Sequence, residues 1–202
     1  MTAMNGKVYL VGAGPGDPKL ITLKGIECLQ RADVVIYDLL INVKLLEHCP
    51  AHTKKIYGGK MIGEQEQRQA EIDDLMIRHA RAGKTVVRLK GGDPFIFGRG
   101  GEEALTLVEA GIDFEVVPGI TSAIAAPAYA GIPLTHRSYS SSVAFITGHS
   151  AALQADSAIR WEQLATGVDT LVILMGVGHL HEIVARLIQH GRSPETPISL
   201  IH

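Results

Sequence analysis

The chain has little cysteine, no excess charge of one sign and no long hydrophobic run. Its only cysteines, Cys28 and Cys49, match no metal-binding spacing, so we expect a reduced protein rather than one held by disulfides. The formal net charge is −2, so no overall field attracts nucleic acid or a membrane surface. These features predict a cytoplasmic protein that binds neither nucleic acid nor membrane.

Targeting segments and metal patterns are also missing from the sequence. Residues 1–11 lack a basic region followed by a long apolar one, which argues against a signal peptide. Apolar runs such as residues 171–178 are too short to span a bilayer. The nine histidines show no ligand spacing, and we find no zinc pattern and no Ser-His-Asp set. We therefore predict no metal site.

Short apolar runs alternate with helical patterns along the first part of the chain. The clearest helix covers residues 64–82, where Ile72, Leu75, Met76 and His79 share one face. Strands are predicted at residues 7–13, 34–37, 54–57, 85–90 and 114–117. Strands that alternate with helices indicate a mostly parallel sheet covered on both faces.

The second part of the chain has fewer elements. Strands are predicted at residues 143–147 and 170–175, with a helix after them and a last strand that begins near Pro197. We therefore predict an α/β protein of two domains. Residues 1–118 form the N-terminal domain, and residues 119–202 form a linker helix and a second α/β domain that is incomplete at its C-terminus.

Glycine-rich or polar segments follow several of the predicted strands. They are residues 12–17, Asp38, residues 58–60 and residues 91–93. Ligands of parallel sheets bind beyond the carboxyl ends of the strands. We therefore expect these segments to lie at one edge of the sheet.

The segment 12–17, Gly-Ala-Gly-Pro-Gly-Asp, allows more than one interpretation. With Asp38 at the end of the next strand, it resembles the dinucleotide fingerprint of an NAD-binding oxidoreductase. However, Asp17 stands in place of the third glycine, and proline removes backbone donors that a phosphate needs. Three interpretations of this segment therefore remain: a nicotinamide site, a purely structural turn, and a loop that another ligand approaches closely.

Four charged residues are candidates for catalysis or for substrate binding. Asp38 ends a hydrophobic strand, where partial burial raises the pKa of a carboxyl group towards that of a useful base, although a turn cap fits equally well. Lys60 follows two glycines at the predicted ligand edge. Arg99 and Glu102 share a face if they are helical, either for function or as a surface ion pair.

The segment 87–103 predicts contacts with two ligands. It begins as a buried strand and ends as a helix, with glycines between them. The glycines and the aspartate at residues 91–93 allow a ligand close to the backbone and place a carboxylate beside it. An arginine and two glutamates at the helix entrance face a second molecule. This arrangement is typical of a two-substrate transferase.

Together these sequence segments resemble those of the tetrapyrrole (corrin/porphyrin) methylases. The resemblance extends from Lys7 to the last residue, and it is most specific at residues 87–103. The other matching strings are residues 11–18, 37–38, 58–60, 117–123, 131–137, 147–149 and 175–176.

The resemblance implies a two-domain tetrapyrrole methylase fold with S-adenosylmethionine in the cleft between the domains. The implied reaction is C-methylation of uroporphyrinogen III, expected at C-2 and C-7 to give precorrin-2 and S-adenosylhomocysteine. The product would enter sirohaem or cobalamin biosynthesis, and a methylase of a later precorrin is the alternative. The resemblance also implies a homodimer and a chain that continues beyond residue 202.

The resemblance assigns roles to individual residues. Asp38 and Lys60 match acid/base positions, and Arg99 and Glu102 match positions that handle the tetrapyrrole. Contacts with S-adenosylmethionine are implied for Pro15, Gly91, Gly92, Asp93, Ile96, Thr121, Ser122 and Met175.

The carboxylates of the implied substrate require nearby cations. Lys60, Arg99 and Arg137 are the candidates. Arg88 and Lys90 are given less weight because they fall within a predicted strand.

Overall fold

The structure, a computed structural model, describes residues 6–60, 65–149 and 159–201, without the side chains of residues 60 and 65–68. Two compact units divide the chain, residues 1–122 and 123–202. The domain boundary expected at residue 118 stays a prediction. Among the described helices, none is long and apolar enough to cross a membrane.

The first unit contains a five-stranded parallel sheet, as the sequence predicts. The strands lie in the order β3-β2-β4-β1-β5. They are β1 (Lys7–Gly12), β2 (Val34–Tyr37), β3 (Lys54–Tyr57), β4 (Val86–Lys90) and β5 (Asp113–Val117).

Helices cover both faces of this sheet. They are α1 (Leu23–Gln30), α2 (Gln65–Arg81) and α3 (Gly100–Glu109). Thr22 caps α1, because its hydroxyl accepts a hydrogen bond from Gly25 N at 3.1 Å. Gly83, with φ +75°, follows the end of α2. Threonine and glycine are residue types that favour these two kinds of helix terminus.

Successive strand residues point to opposite faces and form two cores. One face packs Val11, Leu29 and Val87 beside α1. The other face packs Leu10 and Met76, among others, against α2 and α3. Burial on both faces explains why β1 and β2 are almost continuously apolar.

The second unit contains a two-stranded parallel sheet. Its elements are α4 (Ser122–Tyr129, which begins at the last residue of the first unit), β6 (Val143–Thr147), α5 (Trp161–Gly167), β7 (Thr170–Leu174) and α6 (Leu180–Gln189). The strand predicted near Pro197 is wrong. Residues 197–201 pair with no described strand, and the side chains of Ile198 and Leu200 are exposed.

The parallel order brings the predicted loops to one edge of the first sheet. Strands β1 to β4 run in the same direction, so the residues that follow each of them lie at the same carboxyl edge. The predicted position of residues 12–17, Asp38, residues 58–60 and residues 91–93 is confirmed.

Candidate active site

Three backbone segments meet at the carboxyl ends of β1, β4 and β5. Gly92 N donates to Gly14 O at 2.8 Å, and Gly14 N donates to Gly92 O at 3.2 Å. A Cβ on Gly119 would collide with Gly92 O, and a Cβ on Gly12 would lie 2.5 Å from Gly119 Cα. Only glycine permits these segments to approach so closely.

The loop at residues 91–93 leaves open space on one side. Gly92 has φ +65°, and a Cβ built there would meet only Thr121 Cα, at 3.6 Å. Thr121 is itself buried, and Ser122 begins α4. The space beside Gly92 therefore suits a ligand held by backbone groups. The contacts with S-adenosylmethionine that the resemblance implies here stay a prediction.

Asp93 fixes the shape of this loop. One carboxylate oxygen accepts from Phe95 N at 2.8 Å, and the other accepts from Gly119 N at 2.9 Å. Ile96 N donates to Asp93 O at 3.4 Å. The carboxylate thus joins the loop after β4 to the loop after β5, in addition to any contact with a ligand.

The loop after β1 does not have the geometry of a dinucleotide fingerprint. Asp17 accepts a hydrogen bond from Lys19 N at 2.9 Å and begins a short 3-10 helix, Pro18–Leu20. The helix α1 begins only after that, so no helix N-terminus directly follows the glycines. Pro15 lies half-buried between Gly14 and Gly16, which have positive φ. This arrangement offers no seat for a pyrophosphate.

Asp38 lies at the same edge as half of an ion pair. Its side chain is 32% exposed, and Oδ1 accepts from Arg88 Nη2 at 2.5 Å. Asp38 N donates to Leu89 O at 3.2 Å, which fixes its backbone to β4. The carboxyl group is therefore partly buried, as its position at the end of a strand predicts, and it is paired with a cation.

A buried charge cluster lies behind Asp38. Glu103 Oε1 accepts from Arg88 Nε at 2.9 Å, from Lys90 Nζ at 2.9 Å and from Gln69 Nε2 at 3.1 Å. The side chains of Arg88, Lys90 and Glu103 are at most 3% exposed. Burial and the nearby Arg88 lower the pKa of Lys90, although Glu103 opposes them. For Arg88, burial opposes the charge but Glu103 and Asp38 together raise the pKa.

Sequence reasoning did not find this cluster. Glu103 is one of the two glutamates expected to face a second molecule, and that expectation is wrong because its side chain is fully buried. Arg88 and Lys90 were given little weight because they fall within a strand. The available signal was two cations, i and i+2, in an otherwise apolar strand. Such residues share one face and need a buried anion nearby.

Arg99 and Glu102 form the ion pair that their spacing allows. Arg99 has φ +58° immediately before α3, and its Nε and Nη2 donate to Glu102 Oε2 at 2.9 and 2.5 Å. The hydrogen bond from Arg99 lowers the pKa of Glu102. A non-glycine residue in the left-handed region at a ligand edge indicates a conformation kept for function. Their contact with a tetrapyrrole stays a prediction.

The remaining predicted site residues are Lys60, Met175 and Arg137. The backbone of Lys60 ends the 3-10 helix Gly58–Lys60, but its side chain lies outside the described part of the structure. Met175 belongs to the second unit, follows β7 with φ +58° and is 56% exposed. Arg137 also belongs to the second unit and is exposed.

The family model of the Tetrapyrrole (Corrin/Porphyrin) Methylases matches residues 7–202. The chain belongs to this family. The tetrapyrrole methylase fold, with its parallel N-terminal sheet, is thereby confirmed, and the glycine-lined loops lie within the matched residues.

Two relatives resemble this tetrapyrrole methylase over almost its whole length. This chain is 57% identical over 197 residues to the uroporphyrinogen-III C-methyltransferase of Priestia megaterium. The aligned residues cover 98% of this chain and 82% of that protein. The chain is 53% identical over 201 residues to the S-adenosyl-L-methionine-dependent uroporphyrinogen III methyltransferase of Methanosarcina barkeri, covering 100% of this chain and 79% of that protein.

Solved structures of other tetrapyrrole methylases are also similar. The uroporphyrin-III C-methyltransferase of Thermus thermophilus in complex with S-adenosylhomocysteine is 46% identical, with a TM-score of 0.76 over 94% of this chain and 74% of that one. A cobalt precorrin-4 methyltransferase is 31% identical, with a TM-score of 0.79 over 93% of this chain and 76% of that one.

Proposed function

We propose that this chain transfers methyl groups from S-adenosylmethionine to carbon atoms of uroporphyrinogen III. The observation that carries the proposal is the convergence of Gly14, Gly92 and Gly119 beside open space. Relatives at 57% and 53% identity with that activity in their names support the substrate.

The finer assignment rests on the resemblance found in the sequence. Methylation takes place at C-2 and C-7 and gives precorrin-2, which enters sirohaem or cobalamin biosynthesis. The lower identity of 31% to a methyltransferase of a later precorrin makes that alternative less favoured. The protein acts as a homodimer in the cytoplasm.

The chemistry needs orientation more than activation. When bound, S-adenosylmethionine supplies a methyl group on a positively charged sulfur, which is a good leaving group. Transfer breaks the bond from methyl carbon to sulfur, forms a carbon–carbon bond to the pyrrole and releases a proton from the ring system. The backbone around Gly91 and Gly92 holds one reactant, and orientation of this kind contributes about 7–11 kcal/mol.

We assign to Asp38 the role of accepting the released proton. Arg88 occupies its Oδ1, and no described residue donates to Oδ2. Oδ2 is therefore placed to accept the proton from a pyrrole N–H as electrons move to the ring carbon. Lys60 acts as its acid/base partner.

The other predicted residues hold the two ligands. Pro15, Gly91, Gly92, Asp93, Ile96, Thr121, Ser122 and Met175 bind S-adenosylmethionine. Arg99 and Glu102 orient the tetrapyrrole, and Arg99, Lys60 and Arg137 pair with its carboxylates.

The test uses purified chain with S-adenosylmethionine and uroporphyrinogen III, and mass spectrometry of the product. We expect two successive gains of one methyl mass, and a slower but measurable gain with Asp38→Asn. Calorimetry with S-adenosylhomocysteine, run in parallel, checks that each protein binds cofactor. Binding without any methyl gain by the wild-type chain would contradict the proposed activity.

A further inference from the structure

We infer that Glu103 and Lys90 are positioning residues that hold Arg88, and through it the carboxylate of Asp38, in place for proton transfer. This inference rests on the function proposed above. It concerns residues that do not themselves reach the reacting atoms, since Glu103 is fully buried and Lys90 is 2% exposed.

The first observation is the geometry of Arg88. Its Nε donates to Glu103 Oε1 at 2.9 Å, and its Nη2 donates to Asp38 Oδ1 at 2.5 Å. The guanidinium is planar and rigid, so fixing Nε also fixes the direction of Nη2. The position of the Asp38 carboxylate is thus set by the position of Glu103.

The second observation is that Lys90 is a second counter-charge for Glu103. Glu103 Oε1 is shared by Lys90 Nζ and Arg88 Nε, both at 2.9 Å. Lys90 offsets much of the negative charge of Glu103. The positive charge of Arg88 is therefore not fully neutralised by Glu103. Arg88 is then able to hold a second carboxylate at the edge of the site.

The third observation is that stability does not explain the cluster. Buried ion pairs contribute little to stability compared with well-packed apolar residues. Within the described residues, Arg88 Nη1 and Glu103 Oε2 are buried with no hydrogen-bond partner, and such atoms are costly. Buried atoms without partners therefore call for an explanation other than stability, and a role in catalysis is one.

The fourth observation is where the cluster lies. Lys90 directly precedes Gly91, and Lys90 O accepts from Ala13 N at 2.7 Å. Glu103 belongs to the first turn of α3, whose N-terminus favours an anion. The same cluster therefore lies directly behind the glycine loop and beside Asp38.

The experiment is a double-mutant cycle with wild type, Glu103→Gln, Asp38→Asn and the double variant. Turnover is measured with both substrates saturating, and the affinity for S-adenosylhomocysteine is measured by calorimetry. Glu109→Gln is the matched control, because Glu109 is an exposed glutamate on the same helix. Its turnover should equal that of wild type.

We expect Glu103→Gln to lower kcat about tenfold or more, with cofactor affinity changed less than about twofold. In the Asp38→Asn background the same change should have almost no further effect, because the group it positions is gone. Additive losses in kcat would overturn the inference, as would a loss of cofactor affinity as large as the loss of turnover.

A second variant is available in case the first one misfolds. If Glu103→Gln does not fold, Lys90→Met takes its place in the cycle, with the same expected coupling to Asp38→Asn. An inactive wild-type chain would contradict the proposed function instead. The unfolding free energies of the same four proteins would then test the contact chain, since additivity there would contradict it and coupling would support it.

Discussion

At the scale of single residues, Asp93 and Gly92 shape the candidate cofactor loop in different ways. Asp93 bonds to Phe95 N and Gly119 N, so its carboxylate keeps two loops together. Gly92 contributes by having no side chain, because a Cβ would project into the space beside Thr121. One residue holds the loop and the other leaves room for a ligand.

Gly92→Ala should separate ligand binding from backbone strain. Gly92 and Gly111 have φ of +65° and +67°, so alanine at either position costs about 1–2 kcal/mol of unfolding free energy. A Cβ on Gly111 meets nothing within 4 Å, which makes Gly111→Ala the matched control. Only Gly92→Ala should also weaken S-adenosylhomocysteine binding, by about tenfold. Denaturant unfolding and calorimetry measure the two effects.

Equal affinities of the two alanine variants would show that the space beside Gly92 is not part of the cofactor site. A larger loss of stability for Gly92→Ala, with unchanged affinity, would lead to the same conclusion.

At the scale of elements, the sequence predicts best what depends on local patterns. The helix α2 was recognisable because Ile72 and Met76 recur at helical spacing, and both lie in the core. The anion that completes the cluster at Arg88 was not recognisable, because Glu103 comes from a different element, fifteen residues later. Contacts between elements depend on packing, which a single-sequence pattern does not contain.

The distinction between local patterns and contacts between elements also explains why the strand predicted near Pro197 is wrong. Apolar residues in that segment have the composition of a strand, but a strand exists only when another strand accepts its backbone hydrogen bonds. For the loops, by contrast, alternation of strands and helices was sufficient, since it fixed their common edge without any knowledge of side-chain contacts.

The C-terminal turn of α2 makes stability depend on pH through His79. Burial, followed by Lys54, Arg78 and Lys84, lowers the pKa of His79 below 6.5. Between the two pKa values the unfolded chain binds more protons, so stability is complete above pH 6.5 and is lost as pH falls towards the folded-state pKa. We expect His79→Gln to flatten this dependence, whose slope for one group is at most about 1.4 kcal/mol per pH unit.

Denaturant unfolding of wild type and His79→Gln between about pH 5 and pH 7.5 measures this slope. His48→Gln is the control, because it removes an exposed histidine from the same unit. If His48→Gln flattened the curve as much as His79→Gln does, the position of His79 at the end of α2 would not be the cause.

At the scale of the whole molecule, the charge balance does not favour a polyanionic substrate. There are 19 basic and 21 acidic residues, which gives a net charge of −2. A carboxylate-rich tetrapyrrole therefore has to be attracted by cations concentrated at the site. Long-range attraction by the whole protein would be absent, because salt at 0.1 M largely screens exposed charges that are more than about 10 Å apart. Pairing at the site acts at shorter distances and is weakened further only as the salt concentration rises.

Two arginine variants distinguish local from overall charge. Arg99→Gln and Arg31→Gln each remove one positive charge and one exposed ion pair, with Glu102 and Glu27 respectively. Arg99 lies at the carboxyl edge of the first sheet, whereas Arg31 precedes β2 at the opposite edge. At low salt we expect Arg99→Gln to raise KM for uroporphyrinogen III about five- to tenfold, and Arg31→Gln to leave it unchanged.

Steady-state kinetics at about 0.02 and 0.5 M salt complete the comparison. For wild type and Arg31→Gln, KM for the tetrapyrrole should rise with salt, while for Arg99→Gln it should rise less because one screened contact is already missing. An equal rise of KM in both variants at low salt would mean that net charge governs substrate capture. In that case the positive charge at the site would not be what allows a mildly acidic protein to bind a polycarboxylate.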